Sequence, residues 1–175
     1  MKRKYIASWG LALAEDKEMD KLSRMAAKGW HLEKFDTLGY TLFKGEPKEV
    51  KYSLDYRKQP DEDYFELFSA SGWEHVASNG GEIHIFKGDL KARPIYSDIE
   101  TSYEKYSFKE NEMKRVVQPT FVIWLGVTIL LFLSWSNTIT DLISVLQFIV
   151  AICLISTGLP YLGFLFKRKQ FERKL

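Results

Sequence analysis

Three histidines, His31, His75 and His84, are the only imidazoles available for metal binding or proton transfer. No two stand at the i, i+4 spacing that puts ligands on one helical face, and no carboxylate–histidine grouping resembles a zinc or facial-triad iron site. Neither a metal nor a cofactor is expected. A nucleophilic serine would need a tight glycine-flanked elbow. The nearest match, Ser69-Ala-Ser-Gly72, falls where a helix should end and reads as its cap. Ser78-Asn-Gly-Gly81 lacks the lysine and following helix of a phosphate-binding loop and reads as a hairpin turn. The acidic pairs Asp61/Asp63 and Glu15/Asp16 sit at helix starts, where the helix dipole accounts for them. Cys153, the single cysteine, lies in an apolar run, so no disulfide or thiolate cluster exists. The chain is expected to be non-enzymatic.

Aromatic residues are the other source of chemistry. Trp9, Trp30, Tyr40, Tyr52, Tyr56 and Trp73 are expected on inward sheet faces, more aromatic surface than so small a domain needs for packing. They form either a plain core or an apolar ligand cleft in which His75 or Glu82 supplies the polar contact. These eight are the candidate ligand-binding residues.

The elements that position them come from an internal repeat. Residues 22–46 align with residues 65–89 at a constant offset of 43 without a gap. Leu22 matches Phe65, Met25 matches Phe68, Gly29-Trp30 matches Gly72-Trp73, and Phe43-Lys-Gly-Glu46 matches Phe86-Lys-Gly-Asp89. The reading is a duplicated strand–helix–strand–strand unit. In the first copy, 4–9 is a strand, about 16–28 is a helix with Met19, Leu22, Met25 and Ala26 on one face, and Gly29 ends it. Residues 30–35 and 40–44 form a hairpin. In the second copy, 50–57 alternates strictly, Asp61 caps a helix that Gly72 closes, and 73–77 and 83–87 pair through Asn79-Gly80-Gly81. In this alignment His75 stands where the first copy has Leu32. A polar ring in that place is either a satisfied core group or a cleft-lining one.

Two uncharged stretches of 25 residues, 116–140 and 142–166, follow back to back with only Asp141 between them. Each is long enough to cross a bilayer core roughly 30 Å thick as a helix. Lys109, Lys114 and Arg115 precede the pair, and Lys167, Arg168, Lys169, Arg173 and Lys174 follow it, so both termini are expected in the cytoplasm at the cell membrane. Trp135 is the expected interfacial anchor, and Pro160 is expected to kink the second span. The parts are then a cytoplasmic α+β domain over 1–96, a helical linker over 97–115, a two-helix transmembrane hairpin over 116–166 (helices at about 117–135 and 142–166), and a basic tail over 167–175. An apolar stripe through Ile99, Tyr103, Tyr106, Met113 and Val117, broken by Glu110, marks the linker as a packing or dimerising helix. Residues 1–115 hold 20 Lys and Arg against 21 Asp and Glu, which argues against direct nucleic-acid binding.

By element order alone, the architecture resembles the duplicated fold of multidrug-sensing effector-binding domains, which implies a curved antiparallel sheet around a cleft and carries over no residue. The core Met25-Ala-Ala-Lys-Gly-Trp-His-Leu32, with Tyr40 to Pro47 (YTLFKGEP) and Tyr52-Ser-Leu-Asp-Tyr56, resembles an uncharacterised bacterial domain-of-unknown-function family. That resemblance covers roughly residues 4–95. It implies small membrane-anchored proteins associated with regulators of the phenolic-acid-repressor type, and no activity or catalytic residue. The expected function is a membrane-anchored cytoplasmic binding or regulatory module. Its partners would be the lipid bilayer and a membrane protein or transcriptional regulator, with an oligomer also compatible. The alternative is an accessory subunit of a transporter or self-protection complex.

Overall fold

A computed structural model describes residues 2–96, 99–133 and 137–175. Trp135 lies outside the described residues, with its neighbours 134 and 136 between the two spans. The chain divides into two compact units, 1–98 and 99–175.

The first unit runs β1 (Arg3–Ala7), α1 (Leu11–Ala26), β2 (Trp30–Asp36), β3 (Gly39–Lys44), β4 (Val50–Tyr56), α2 (Glu62–Ala70), β5 (Trp73–Asn79) and β6 (Ile83–Asp89). Its strands form two antiparallel three-stranded sheets, ordered β1-β3-β2 and β4-β6-β5. Each half therefore threads its last strand between the other two. β2 and β5 are neighbours where the sheets meet, without a ladder between them.

α1 serves both sheets. Met19, Leu22 and Ala26 pack with Leu32, Tyr40 and Leu42 of the first sheet and with Tyr52, Leu54, Ala77 and Ile85 of the second. This apolar contact explains why a helix with a kink at Ala14 (φ −134°, ψ 29°) holds together. α2 instead covers the opposite face of the second sheet, with Phe68 stacked on Phe86 at 4.2 Å and Tyr64 edge-on to His84. None of its residues is fully buried. Asp61 caps α2 by accepting from the Tyr64 amide at 3.0 Å. Gly29 and Gly72 follow the two helices with φ of 77° and 83°, the left-handed geometry glycine tolerates.

The two hairpins differ by one residue at the turn. In the first, Asp36 pairs with Gly39, leaving Thr37 and Leu38 in the turn; in the second, Asn79 pairs with Ile83, leaving Gly80, Gly81 and Glu82. Both second strands carry a bulge at the same relative place, between Leu32 and Lys34 and between His75 and Ala77. The extra turn residue slips the second ladder by one. Leu32 lies opposite Leu42, but His75 lies opposite Phe86 rather than Ile85, the counterpart of Leu42. A one-residue slip sends a side chain to the other face of a sheet. His75 therefore does not take the place of Leu32 against α1; it faces α2.

Trp9 also departs from expectation. β1 ends at Ala7, the chain turns at Gly10 (φ 90°), and Trp9 is 78% exposed instead of lying on an inward face.

The second unit is a helical hairpin of α3 (Ile99–Leu133) and α4 (Asn137–Glu172). At 1.5 Å per residue each is about 50 Å long, well beyond a hydrocarbon core of about 30 Å. α4 continues as one helix through Pro160. The charged ends of the two helices stay paired. Glu110, the residue that breaks the apolar stripe, meets Arg168 at 2.9 Å, and Tyr106 stacks on Phe171 at 5.5 Å. Farther along, Gln147 donates to Thr128 Oγ1 at 2.8 Å, a polar tie between the helices.

Candidate functional site

The polar face beneath α2 is built by the register slip and the bulge acting together. Ser78 pairs with His84 and His75 with Phe86, so these side chains share one face, while Ala77 faces α1. A bulge re-aims neighbouring side chains, here allowing residues three apart to point the same way. At the corresponding place in the first sheet, Leu32 and Phe35 pair with Leu42 and Tyr40 and face α1.

Hydrogen bonds connect this face in a chain. His75 Nε2 lies 2.8 Å from Ser78 Oγ, Ser78 Oγ lies 2.7 Å from His84 Nδ1, and His84 Nε2 lies 2.9 Å from the Arg57 carbonyl. A carbonyl only accepts, so His84 Nε2 carries the hydrogen and, in the neutral ring, Nδ1 accepts. The Ser78 hydroxyl must then donate to His84, and His75 must donate to Ser78. Partial burial, and next the neighbouring His84, push the His75 pKa below the ordinary histidine value against an opposing hydrogen bond to the Ala77 backbone, which favours the neutral ring. His84 is 1% exposed, whereas His75 and Ser78 are open to solvent. The Phe65 ring roofs both histidines, with centroids 4.8 Å from His75 and 5.8 Å from His84.

Asp55 stands beside His84 in the ladder. Its buried carboxylate accepts from Tyr64 at 2.8 Å and from Tyr96. Burial, then the charge of Asp55, holds both tyrosine hydroxyls far above their ordinary pKa. They remain donors throughout the physiological range. Among the described residues, no group of three His, Cys, Asp or Glu side chains is arranged to hold a metal ion.

The expected aromatic residues do not converge on one cleft. Trp73 lines a cavity of about 600 Å³ with Leu67, Phe68, Pro94 and Ile95, and its indole donates to the Arg93 carbonyl at 2.8 Å. Tyr52 lines another, of about 390 Å³, with His31, Leu32, Phe43 and Lys87, and its hydroxyl accepts from the Leu32 amide at 3.3 Å. Tyr40 is buried against α1, Tyr56 reaches Glu15 at 3.4 Å, and Trp30 is half-buried with the Lys4 and Lys44 ammonium groups 5.7 and 5.3 Å from its ring. Glu82 lies in the second turn and pairs with Lys58 at 3.4 Å. Of the eight candidates, only His75 belongs to the ordered polar chain. Sequence reasoning missed Ser78 and His84, because a serine beside Asn-Gly-Gly carries the signal of a turn and the slip that aligns it with His84 depends on counting turn residues.

A family model described as protein of unknown function, DUF2812, matches residues 14–118. The chain belongs to that family. The DUF2812 match runs from within α1 through the first twenty residues of α3 and takes in the whole polar face. No curated protein and no solved structure matches this DUF2812 chain.

Proposed function

We propose that this DUF2812 protein is a membrane-anchored binding and regulatory module whose folded head, 1–96, lies on the cytoplasmic side. The observation that carries the reading is the pairing, in one chain, of the family domain with two helices long and apolar enough to cross a membrane. Their most apolar windows are almost entirely unburied, at 6% and 0%. Such surface is stable in lipid and costly in water. The uneven distribution of basic residues around the spans supports a cytoplasmic head and tail. Binding alone suffices for this role, and no turnover is required by it.

The two strand–helix–strand–strand units are read as copies of one ancestral unit. Their equal strand order, their bulges at the same offset and their positive-φ glycines after each helix support this. A bilayer and one protein, either a membrane protein or a soluble regulator, are the proposed partners.

The deciding experiment has two arms. The full-length protein is expected in the membrane pellet after alkaline carbonate, and the head is expected to resist protease added outside intact cells but to be digested in inverted vesicles. Recovery in the soluble fraction, or digestion from outside, overturns the anchoring or the orientation respectively. Purification of the cross-linked full chain from membranes then identifies its companion.

A further inference from the structure

We propose that Ser78 is a nucleophile that accepts an acyl group from an activated ester or thioester, with His84 as its general base and His75 as the donor to the developing oxyanion. This goes beyond the binding role and stands independently of the membrane reading.

The proton order is the first support. The Arg57 carbonyl fixes the hydrogen of His84 on Nε2, so in the neutral ring Nδ1 is an acceptor aimed at Ser78 Oγ from 2.7 Å, within the range a general base requires. The third group that orients the base is here a backbone carbonyl. His75 lies 2.8 Å from the same oxygen and, with its hydrogen on Nε2, donates to it, which leaves Oγ one further lone pair. Access is the second support: the base is buried, which keeps water from competing for Nδ1, while the serine is exposed. The third is the construction of the face. A bulge and an extra turn residue bring together groups whose counterparts in the first sheet are the apolar Leu32 and Phe35.

In the reaction, Oγ attacks the acyl carbonyl carbon as its proton passes to His84 Nδ1. The imidazolium keeps its Nε2 hydrogen on Arg57, and Asp55, its ladder neighbour, supplies compensating negative charge. The carbonyl oxygen becomes an oxyanion and takes the His75 Nε2 hydrogen bond. Collapse re-forms the carbonyl, breaks the bond to the leaving alkoxide or thiolate, and returns the Nδ1 proton to that group. The products are acyl-Ser78 and a free alcohol or thiol, with His84 neutral again. The Phe65 ring favours an apolar acyl group.

A fluorophosphonate tests this without knowledge of the natural acyl donor, because Oγ–P bond formation and fluoride release use the same nucleophile and base. Full-length protein in detergent should gain one phosphonyl group, mapped to Ser78 by peptide mass spectrometry, and S78A should gain none there. His84→Asn keeps an acceptor facing Ser78 but no base, and should slow labelling on the order of 100-fold with its thermal melt retained. His75→Gln, which still donates, should label faster than His75→Ala. Should His84→Asn fail to fold, the comparison of His75→Gln with His75→Ala decides, since an idle serine would label alike in both. Ser78 reacting no faster than other exposed serines, a folded His84→Asn that labels at the wild-type rate, or equal labelling of the two His75 variants overturns the proposal. None of these outcomes bears on membrane anchoring.

Discussion

Tyr40 and Tyr52 show how two buried hydroxyls of one core can have opposite worth. Tyr40 is 1% exposed, and its hydroxyl, near Ser8 and Glu18, makes no hydrogen bond of good geometry among the described residues; the Tyr52 hydroxyl accepts from a buried backbone amide. Removing an unpaired polar atom relieves a desolvation cost, whereas removing a partner creates one. Tyr40→Phe is therefore expected to leave the melting free energy unchanged or raised by up to about 1 kcal/mol, while Tyr52→Phe should lower it by about 1–3 kcal/mol, both read from denaturant titrations. Tyr40 also contributes to behaviour in alkali. Burial, reinforced by Glu18 and Glu15, lifts the Tyr40 pKa well above its usual value, against a weaker opposing pull from Ser8. The folded state keeps a proton that the unfolded chain loses above about pH 10, so this contribution is whole below that pH and declines above it by up to about 1.4 kcal/mol per pH unit. Tyr40→Phe should flatten that decline. At this scale the sequence was partly legible: the contrast between His75 and Leu32 marked an unusual position, but not its direction. That depended on one extra residue in the turn at 80–82, which no property of His75 itself reports.

Hairpin register is the element-scale feature with most leverage. Deleting Gly80 would shorten the second turn to two residues and return the ladder to the first sheet's register, driving His75 and Ser78 toward the apolar side. The variant is expected to lose cooperative melting, as circular dichroism would show; an unchanged melt would mean the turn does not set the register. The helix-ending glycines make a graded pair. Both need positive φ, but a Cβ on Gly72 would meet open space, whereas one on Gly29 would lie 2.6 Å from the Gly45 carbonyl oxygen. Gly72→Ala should cost about 1 kcal/mol and Gly29→Ala clearly more in thermal melts. Most elements could be read from alternation and helical periodicity, and both glycines from their position after apolar helical faces. α1 began earlier than its apolar pattern suggested because Gly10 turns the chain directly into the helix. The loss of Trp9 from the core has the same origin. The shared use of α1 by both sheets was hidden, since the repeat predicts equal roles for its two helices and only packing distinguishes them.

For the molecule as a whole, the hairpin's length matters as much as its apolarity. Charged helix ends that extend past a bilayer core and remain joined through Glu110 and Arg168 form a two-helix stalk within the second unit. Arg168→Glu should lower the unit's stability in detergent, and Glu110→Arg in the same chain should restore much of it, with a coupling of about 1 kcal/mol from the double-mutant cycle. Zero coupling would mean that the pair contributes only by proximity. The spans and their basic flanks were plain in the sequence, while the pairing was not, because Glu110 interrupts the very stripe that would have announced it. The segments 116–133 and 142–166 contain no ionisable Asp, Glu, Lys or Arg. The electric field across an energised membrane does about 2.3 kcal/mol of work per 100 mV on each unit charge moved through it, and here finds none to move. On the proposed membrane reading the hairpin is thus electrically silent, so depolarising the cell should leave the protein's state untouched, and a regulatory signal would have to arrive through a bound molecule, a lateral neighbour or the lipid itself.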